Sequence, residues 1–329
     1  MCRVCQGSRT CAWPSRTASG SLYSAGMTVA PTPLEVTSLT KRFAGGVLAV
    51  DDLTFRVEPG RITGFLGPNG AGKTTTLRCL VGLVRPTSGT ATVAGHPYRR
   101  VPRPTSVVGA ALEASGFHPS RTARNHLRTR AVALGLPTSR VDEMLDFVGL
   151  ADARNRKAGG FSLGMSQRLA LAMALLPDPA ALVLDEPANG LDPAGIAWLR
   201  GFLRELASQG RTILVSSHLL AEVRQTVDDV VIIDRGRLVR AGPLGDVLGD
   251  DSIVSVSGPD LTGLATAVVA AGGTARPEHE QLMVTGLTAA EVGHLAWRDH
   301  IEIHALTTQS EELEQVFLRL TTDRRRDTP

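Results

Sequence analysis

The chain has 329 residues, 43% of them hydrophobic and 4% aromatic, with a formal charge of +3. That length holds one large domain or two modest ones with a real core, and no run approaches 18 uninterrupted apolar residues, so no membrane-spanning helix is expected. The whole excess charge lies in residues 1–26, where Arg3, Arg9 and Arg16 stand without an acid, and the neutral remainder argues against broad nucleic-acid binding.

Residues 1–33 read as a disordered or spurious extension, with Met27 a candidate start. Cys2, Cys5 and Cys11 sit there. The C-x-x-C spacing lacks a second pair or a histidine to complete four zinc ligands. The stretch also lacks the apolar region of a signal peptide. Cys79, the fourth cysteine, reads as packing.

Leu34–Leu39 alternates like a half-buried strand, and a second strand lies within Val47–Val57. Pro59-Gly60 turns the chain into a short buried strand ending at Leu66. Gly67-Pro68-Asn69-Gly70-Ala71-Gly72-Lys73-Thr74-Thr75 then fits G-x-x-x-x-G-K-[ST] at every fixed position. Small residues let successive backbone N–H groups turn inward around phosphates, and the helix opening at Thr75 aims its positive end the same way. Lys73 is one of only three lysines, all other Lys/Arg positions being arginine. It stands where a point charge suits phosphate better than a planar fork.

Thr90–Val93 reads as another strand, and residues from about 101 to 175 read as mostly helical, clearest over 122–134 and 139–148. Ala180–Leu184 is a continuous apolar run ending in Asp185-Glu186, and Thr212–Ser216 repeats that character. A helix over 194–208 between them gives βαβ wiring, with both strands covered on two faces. Residues 230–239 read as a hairpin around Arg235-Gly236-Arg237. Composition shifts near Gly249. Beyond it come strand 252–257, helix 261–271, strands near 273–277 and 281–285, helix 288–297, strand 301–305 and helix 309–321. This order is that of a ferredoxin-like βαββαβ unit with an added helix, which Thr308 and Glu311 would cap. Residues 323–329 read as a solvated tail.

A phosphate loop alone leaves kinase, GTPase and ATPase open. The further landmarks make the chain resemble an ATP-binding cassette (ABC) transporter ATPase over about residues 34–242. Phe161-Ser162-Leu163-Gly164-Met165 resembles the family's L-S-G-G-Q signature, with Ser162 and Gly164 matching the strict form. Leu182–Asp185 resembles Walker B, Asn189–Pro193 the D-loop, and Ser216-Ser217-His218 the H-loop. A serine ahead of a helix is also an ordinary N-cap.

The βαββαβ order beyond Gly249 gives a small α+β C-terminal accessory domain over 250–322. The resemblance implies an α/β P-loop NTPase core with a mixed sheet and a helical subdomain over about 101–175, the cassette spanning 34–249. It implies ATP and Mg²⁺ as cofactors. ATP would meet Gly67, Pro68, Asn69, Gly70, Ala71, Gly72, Lys73, Thr74 and Thr75, with Phe43 stacked on adenine. Ser162 and Gly164 would cap ATP held by a second copy. Mg²⁺ would lie at Thr74, Asp185 and Glu113, the last standing where the family usually has glutamine. Glu186 would be the general base and His218 would reach toward the γ-phosphate. A separate transmembrane permease and a homodimer at the cytoplasmic face of the membrane follow, with no nucleic acid. The Gly-Met signature, the Glu113 region and Leu313–Leu318 resemble drug, antibiotic-peptide or polysaccharide exporters. An importer is the rival reading. A soluble nucleic-acid-linked cassette fits poorly: each motif occurs once, and 88 residues between Lys73 and Ser162 leave no room for a long coiled coil.

Overall fold

The computed structural model describes residues 30–112, 116–218, 224–248, 252–279 and 281–310. In chain order, β1 (Leu34–Arg42) and β2 (Leu48–Val57) form an antiparallel pair, and β3 (Ile62–Leu66) runs into the phosphate loop and α1 (Lys73–Leu80). Next come β4 (Ser88–Val93), β5 (His96–Pro97), α2 (Pro104–Val107), β6 (Val108–Ala111), α3 (Ala123–Ala133), α4 (Ser139–Phe147) and α5 (Leu163–Leu175). Then β7 (Ala181–Asp185), α6 (Pro193–Ser208), β8 (Thr212–Ser217), β9 (Asp229–Asp234), β10 (Arg237–Pro243) and α7 (Leu244–Leu248) follow. A four-stranded sheet has the order β2-β1-β4-β5, and a six-stranded sheet has the order β10-β9-β3-β8-β7-β6. The larger sheet is parallel apart from its β9–β10 hairpin, so it is mixed.

Two apolar cores explain the layers. Leu77, Cys79 and Leu80 of α1 share one core with Phe55 of β2, Phe65 of β3, and Val183 and Leu214 of β7 and β8. α1 is thereby sandwiched between the two sheets, and the Phe55 and Phe65 rings stack at 5.1 Å. Burial pushes the Cys79 thiol up to about 11, which fits packing and leaves no thiolate for chemistry at neutral pH. The second core lies on the other face of the six-stranded sheet. There Leu127 of α3, Met144 and Leu145 of α4, Leu169 of α5 and Phe202 of α6 pack together. Strands β7 and β8 face a core on each side, which accounts for their unbroken apolar runs.

Two segments differ from the sequence reading. Residues 108–111 were expected in the helical stretch but form β6, paired in parallel with β7 from Val108↔Ala181 to Ala111↔Leu184. Val-Gly-Ala-Ala carries little strand propensity of its own; the neighbouring strand imposes it. Gly109 is required there, since a Cβ would strike the Ala174 carbonyl.

The second difference lies in the C-terminal segment. It contains β11 (Ser252–Ser257), α8 (Leu261–Ala270), β12 (Thr274–Glu278), β13 (Gln281–Thr285), α9 (Ala289–Arg298) and β14 (Ala305–Ser310). Its antiparallel sheet has the order β12-β13-β11-β14 over its own core of Val254, Val256, Leu264, Val284 and Val292. β14 begins at 305, not 301, so Thr308 lies in a strand and does not cap a helix. The capping box of this segment is Thr288 with Glu291, at the start of α9. The expected helix beyond 310 lies outside the described residues, as do residues 1–29 and the tail.

Candidate active site

β3, β8 and β7 are neighbours running the same way, so the segments leaving their C-terminal ends converge at one edge of the sheet. Ligands of open α/β sheets bind at such an edge. The phosphate loop leaves β3, Asp185-Glu186 ends β7, and Ser216-Ser217-His218 ends β8.

The loop is shaped by its backbone and braced from behind. Gly70 and Gly72 have φ of 82° and 103°, where other residues are strained. Gly72 also touches the Ala49 carbonyl so closely that no Cβ fits. At the tip of the β9–β10 hairpin, the Gly236 N–H donates to the Ala71 carbonyl at 2.9 Å, and the Gly236 carbonyl accepts from the Asp51 N–H at 2.9 Å. α1 starts at Lys73 with no side-chain cap, leaving its first-turn N–H groups for an anion. Lys73 is 6% exposed. Its Nζ donates to the Gly67 carbonyl at 2.6 Å and the Pro68 carbonyl at 3.3 Å, and lies 3.4 Å from Glu186 Oε1.

The acidic side of the site is linked to that loop. Thr74 Oγ1 donates to Asp185 Oδ2 at 2.7 Å. The other oxygen, Asp185 Oδ1, accepts from Ser216 Oγ. Glu186 follows with a left-handed φ of 49°, a conformation that for glutamate persists only when its surroundings enforce it. Its N–H donates to Ser216 Oγ at 2.9 Å, and its Oε2 lies 2.5 Å from His218 Nδ1. A carboxylate only accepts, so the bond to ionised Glu186 places a proton on Nδ1.

A cavity of about 440 Å³ opens here, lined by Pro68, Asn69, Gly70, Gly72, Lys73, Thr74 and Thr75 of the loop together with Glu186, Asn189, His218 and Ala49; Gly67, Ala71 and Asp185 do not line it. Lys73, Thr74, Asp185, Glu186 and His218 are thus brought together, whereas other expected site residues stand elsewhere. Phe43 does not line the cavity; it is 41% exposed, with Lys41 Nζ 4.9 Å from its ring centre, so it is no core residue. Ser162 and Gly164 do not line it either. Ser162 is exposed and caps α5, accepting from the Met165 N–H at 3.3 Å; the helix starts at Leu163. Glu113 lies outside the described residues. Sequence reasoning missed Ala49 and Ser216 as parts of the site. Ala49 acts through its backbone, which no pattern of side chains announces. Ser216 was visible only as the residue two before His218.

The donor set suits Mg²⁺. Thr74 offers a hard oxygen at the cavity wall and Asp185, bonded to it from behind, offers another, with Lys73 nearby for phosphate. Among the described residues no cluster of three His, Cys, Asp or Glu side chains could hold a metal by itself. An ion here would share its coordination with nucleotide phosphates and water, as Mg²⁺ prefers.

Comparison with known proteins agrees with this geometry. The profile of the ABC transporter family matches residues 50–189, and a domain of unknown function matches residues 252–314. The bacitracin transport ATP-binding protein BcrA of Bacillus licheniformis is 44% identical over 215 residues, covering 64% of this chain and 70% of that protein. The Nod factor export ATP-binding protein I of Ralstonia nicotianae is 34% identical over 319 residues, covering 89% of this chain and 95% of its own length. A solved ATP-binding subunit of an ABC transporter superposes with a TM-score of 0.59 at 30% identity, over 65% of this chain and 91% of that one. With the phosphate loop, paired acids and histidine at one sheet edge, the chain belongs to the ABC transporter ATP-binding proteins and is an ABC ATPase, the nucleotide-binding subunit of a transporter.

Proposed function

We propose that this chain powers an exporter: two copies close around two ATP molecules and pass that motion to a separate membrane permease. The observation that carries the reading is the exposed pair Ser162 and Leu163, the N-cap and first residue of a 13-residue helix, which stand outside the chain's own cavity. A helix N-terminus with a serine hydroxyl suits phosphate, and the phosphate it meets in this reading belongs to a second copy. Export is favoured by the relatives, whose names include bacitracin transport and Nod factor export. No helix among the described residues is long and apolar enough to cross a membrane. The permease in this reading is therefore another chain, and this one sits peripherally on the cytoplasmic face.

Within the site, Lys73 and the loop amides hold the β- and γ-phosphates. Thr74 and Asp185 would hold Mg²⁺, which would supply positive charge to offset that of the phosphates. Glu186 orients and polarises the attacking water, and His218 holds the Glu186 carboxylate through its Nδ1–H. Phe43 offers its ring to adenine. Phe43→Ala is expected to weaken binding of a fluorescent ATP analogue roughly 2- to 13-fold, the size of a lost ring stack of ~0.5–1.5 kcal/mol. Unchanged affinity removes Phe43 from the site.

The transport reading is tested by purifying the tagged full-length chain from detergent-solubilised membranes of its own host. A co-purifying protein with several membrane spans, whose presence stimulates ATP hydrolysis, is the expected result. Recovery of an extracytoplasmic substrate-binding protein in the same complex replaces export with import. Recovery of ribosomes or DNA without a membrane protein ends the transport reading.

A further inference from the structure

Every residue of β8 is buried, and the stretch Ile213-Leu214-Val215 ahead of Ser216 is apolar. Ser216 itself has no exposed surface. A hydroxyl in such a place is costly unless it is hydrogen-bonded, so what it bonds shows why it is there. The register sets Ser216 beside Asp185 on β7. Its Oγ accepts from the Glu186 N–H at 2.9 Å and donates to Asp185 Oδ1. The directions are fixed by chemistry: an N–H only donates, so the single hydroxyl proton goes to the carboxylate. With Oδ1 held by Ser216, Oδ2 is the oxygen that meets Thr74 at 2.7 Å. With its N–H held, Glu186 keeps the left-handed φ of 49° from which its carboxylate meets His218 and Lys73. His218 stands two residues beyond Ser216, so one strand end sets both partners of that contact.

We propose that Ser216 is a positioning residue for ATP hydrolysis, one hydroxyl that fixes both the rotamer of Asp185 and the backbone of Glu186. It acts through those two residues and touches no nucleotide itself. The assignment concerns hydrolysis alone and holds for either direction of transport.

Ser216→Thr and Ser216→Val test it, because both add a similar volume and differ in the hydroxyl. Valine suits a buried strand, so the second variant is expected to fold. In the full-length chain, Ser216→Val is expected to lower kcat roughly 10- to 100-fold, the usual cost of losing a residue that orients a metal ligand. Ser216→Thr is expected to restore most of the turnover. The Kd of a fluorescent ATP analogue, measured in EDTA so that no metal takes part, is expected to stay within about threefold in both, because the phosphate loop and Lys73 are untouched. Equal turnover in the Thr and Val variants at the wild-type level overturns the proposal, as does a loss that resides in Kd. Should both variants lose turnover, Ser216→Ala decides: kcat within about threefold of wild type overturns the proposal, and a tenfold loss at unchanged Kd upholds it.

Discussion

Glu186→Gln is expected to bind ATP and fail to cleave it. The substitution keeps the length and shape of the side chain, so the strained backbone at φ 49° and its N–H bond to Ser216 remain satisfied. It removes the negative charge and the basic oxygen. A general base contributes about 10²–10⁴-fold to such reactions, and turnover is expected to fall within that range or below detection. Binding is expected to persist because Lys73 keeps its bonds to the Gly67 and Pro68 carbonyls. Loss of the carboxylate also removes a repulsion against the triphosphate. With MgATP present, the variant is therefore expected to accumulate as a closed dimer, read as a doubling of mass in size-exclusion chromatography with light scattering. Turnover within tenfold of wild type would remove Glu186 from the role of base. An inactive variant that stays monomeric with MgATP, both alone and with its permease, would break the shared-site mechanism while leaving the base intact.

The parts of this molecule that were legible in its sequence are those whose physics is local. A phosphate loop must place glycines, one lysine and one hydroxyl within nine residues, and the pattern carries its own context of strand before and helix after. The apolar runs of β7 and β8 were legible because a strand buried on both faces keeps its middle apolar and places polar residues such as Thr212, Ser216 and Asp185 toward its ends. What escaped notice depends on partners distant in sequence. Val108–Ala111 is a strand only because β7 lies beside it. Ala49 joins the site through a carbonyl that presses on Gly72, a contact that no side-chain pattern reports. The last strand was displaced because Ile301 and Ile303 look like strand residues, yet both are drawn into the accessory core just before the pairing at Ala305 begins. Thr308 with Glu311 and Thr288 with Glu291 share one capping pattern, and only the second precedes a helix in the described chain. Ser216 stands two residues before His218 in the same motif, but its purpose needs the register between β8 and β7.

Lys73→Ala is expected to abolish productive ATP binding. The ammonium lies 6% exposed between two loop carbonyls and Glu186, so it is a buried charge already held by its surroundings. Each charge-assisted hydrogen bond that it would make to phosphate contributes about 1.5–3 kcal/mol. Loss of a single such bond therefore weakens affinity roughly 10- to 100-fold, and loss of the charge beside three phosphates weakens it further. Removal also leaves the Gly67 carbonyl without its donor at 2.6 Å, so the loop itself is expected to relax. Lys73→Arg sharpens the test. Charge is kept, but the planar guanidinium cannot place its donors where a compact ammonium does, in a pocket that admits little extra volume. The arginine variant is expected to recover less than about a tenth of the wild-type affinity. The measurement is the rise in Tm with MgATP, since a ligand that binds only the folded chain raises its stability in proportion to RT ln(1 + [L]/Kd). Wild type is expected to shift upward, Lys73→Ala not at all, and Lys73→Arg slightly. A shift of equal size in all three would mean that the triphosphate is held elsewhere, and the loop from Gly67 to Thr75 would lose its assignment.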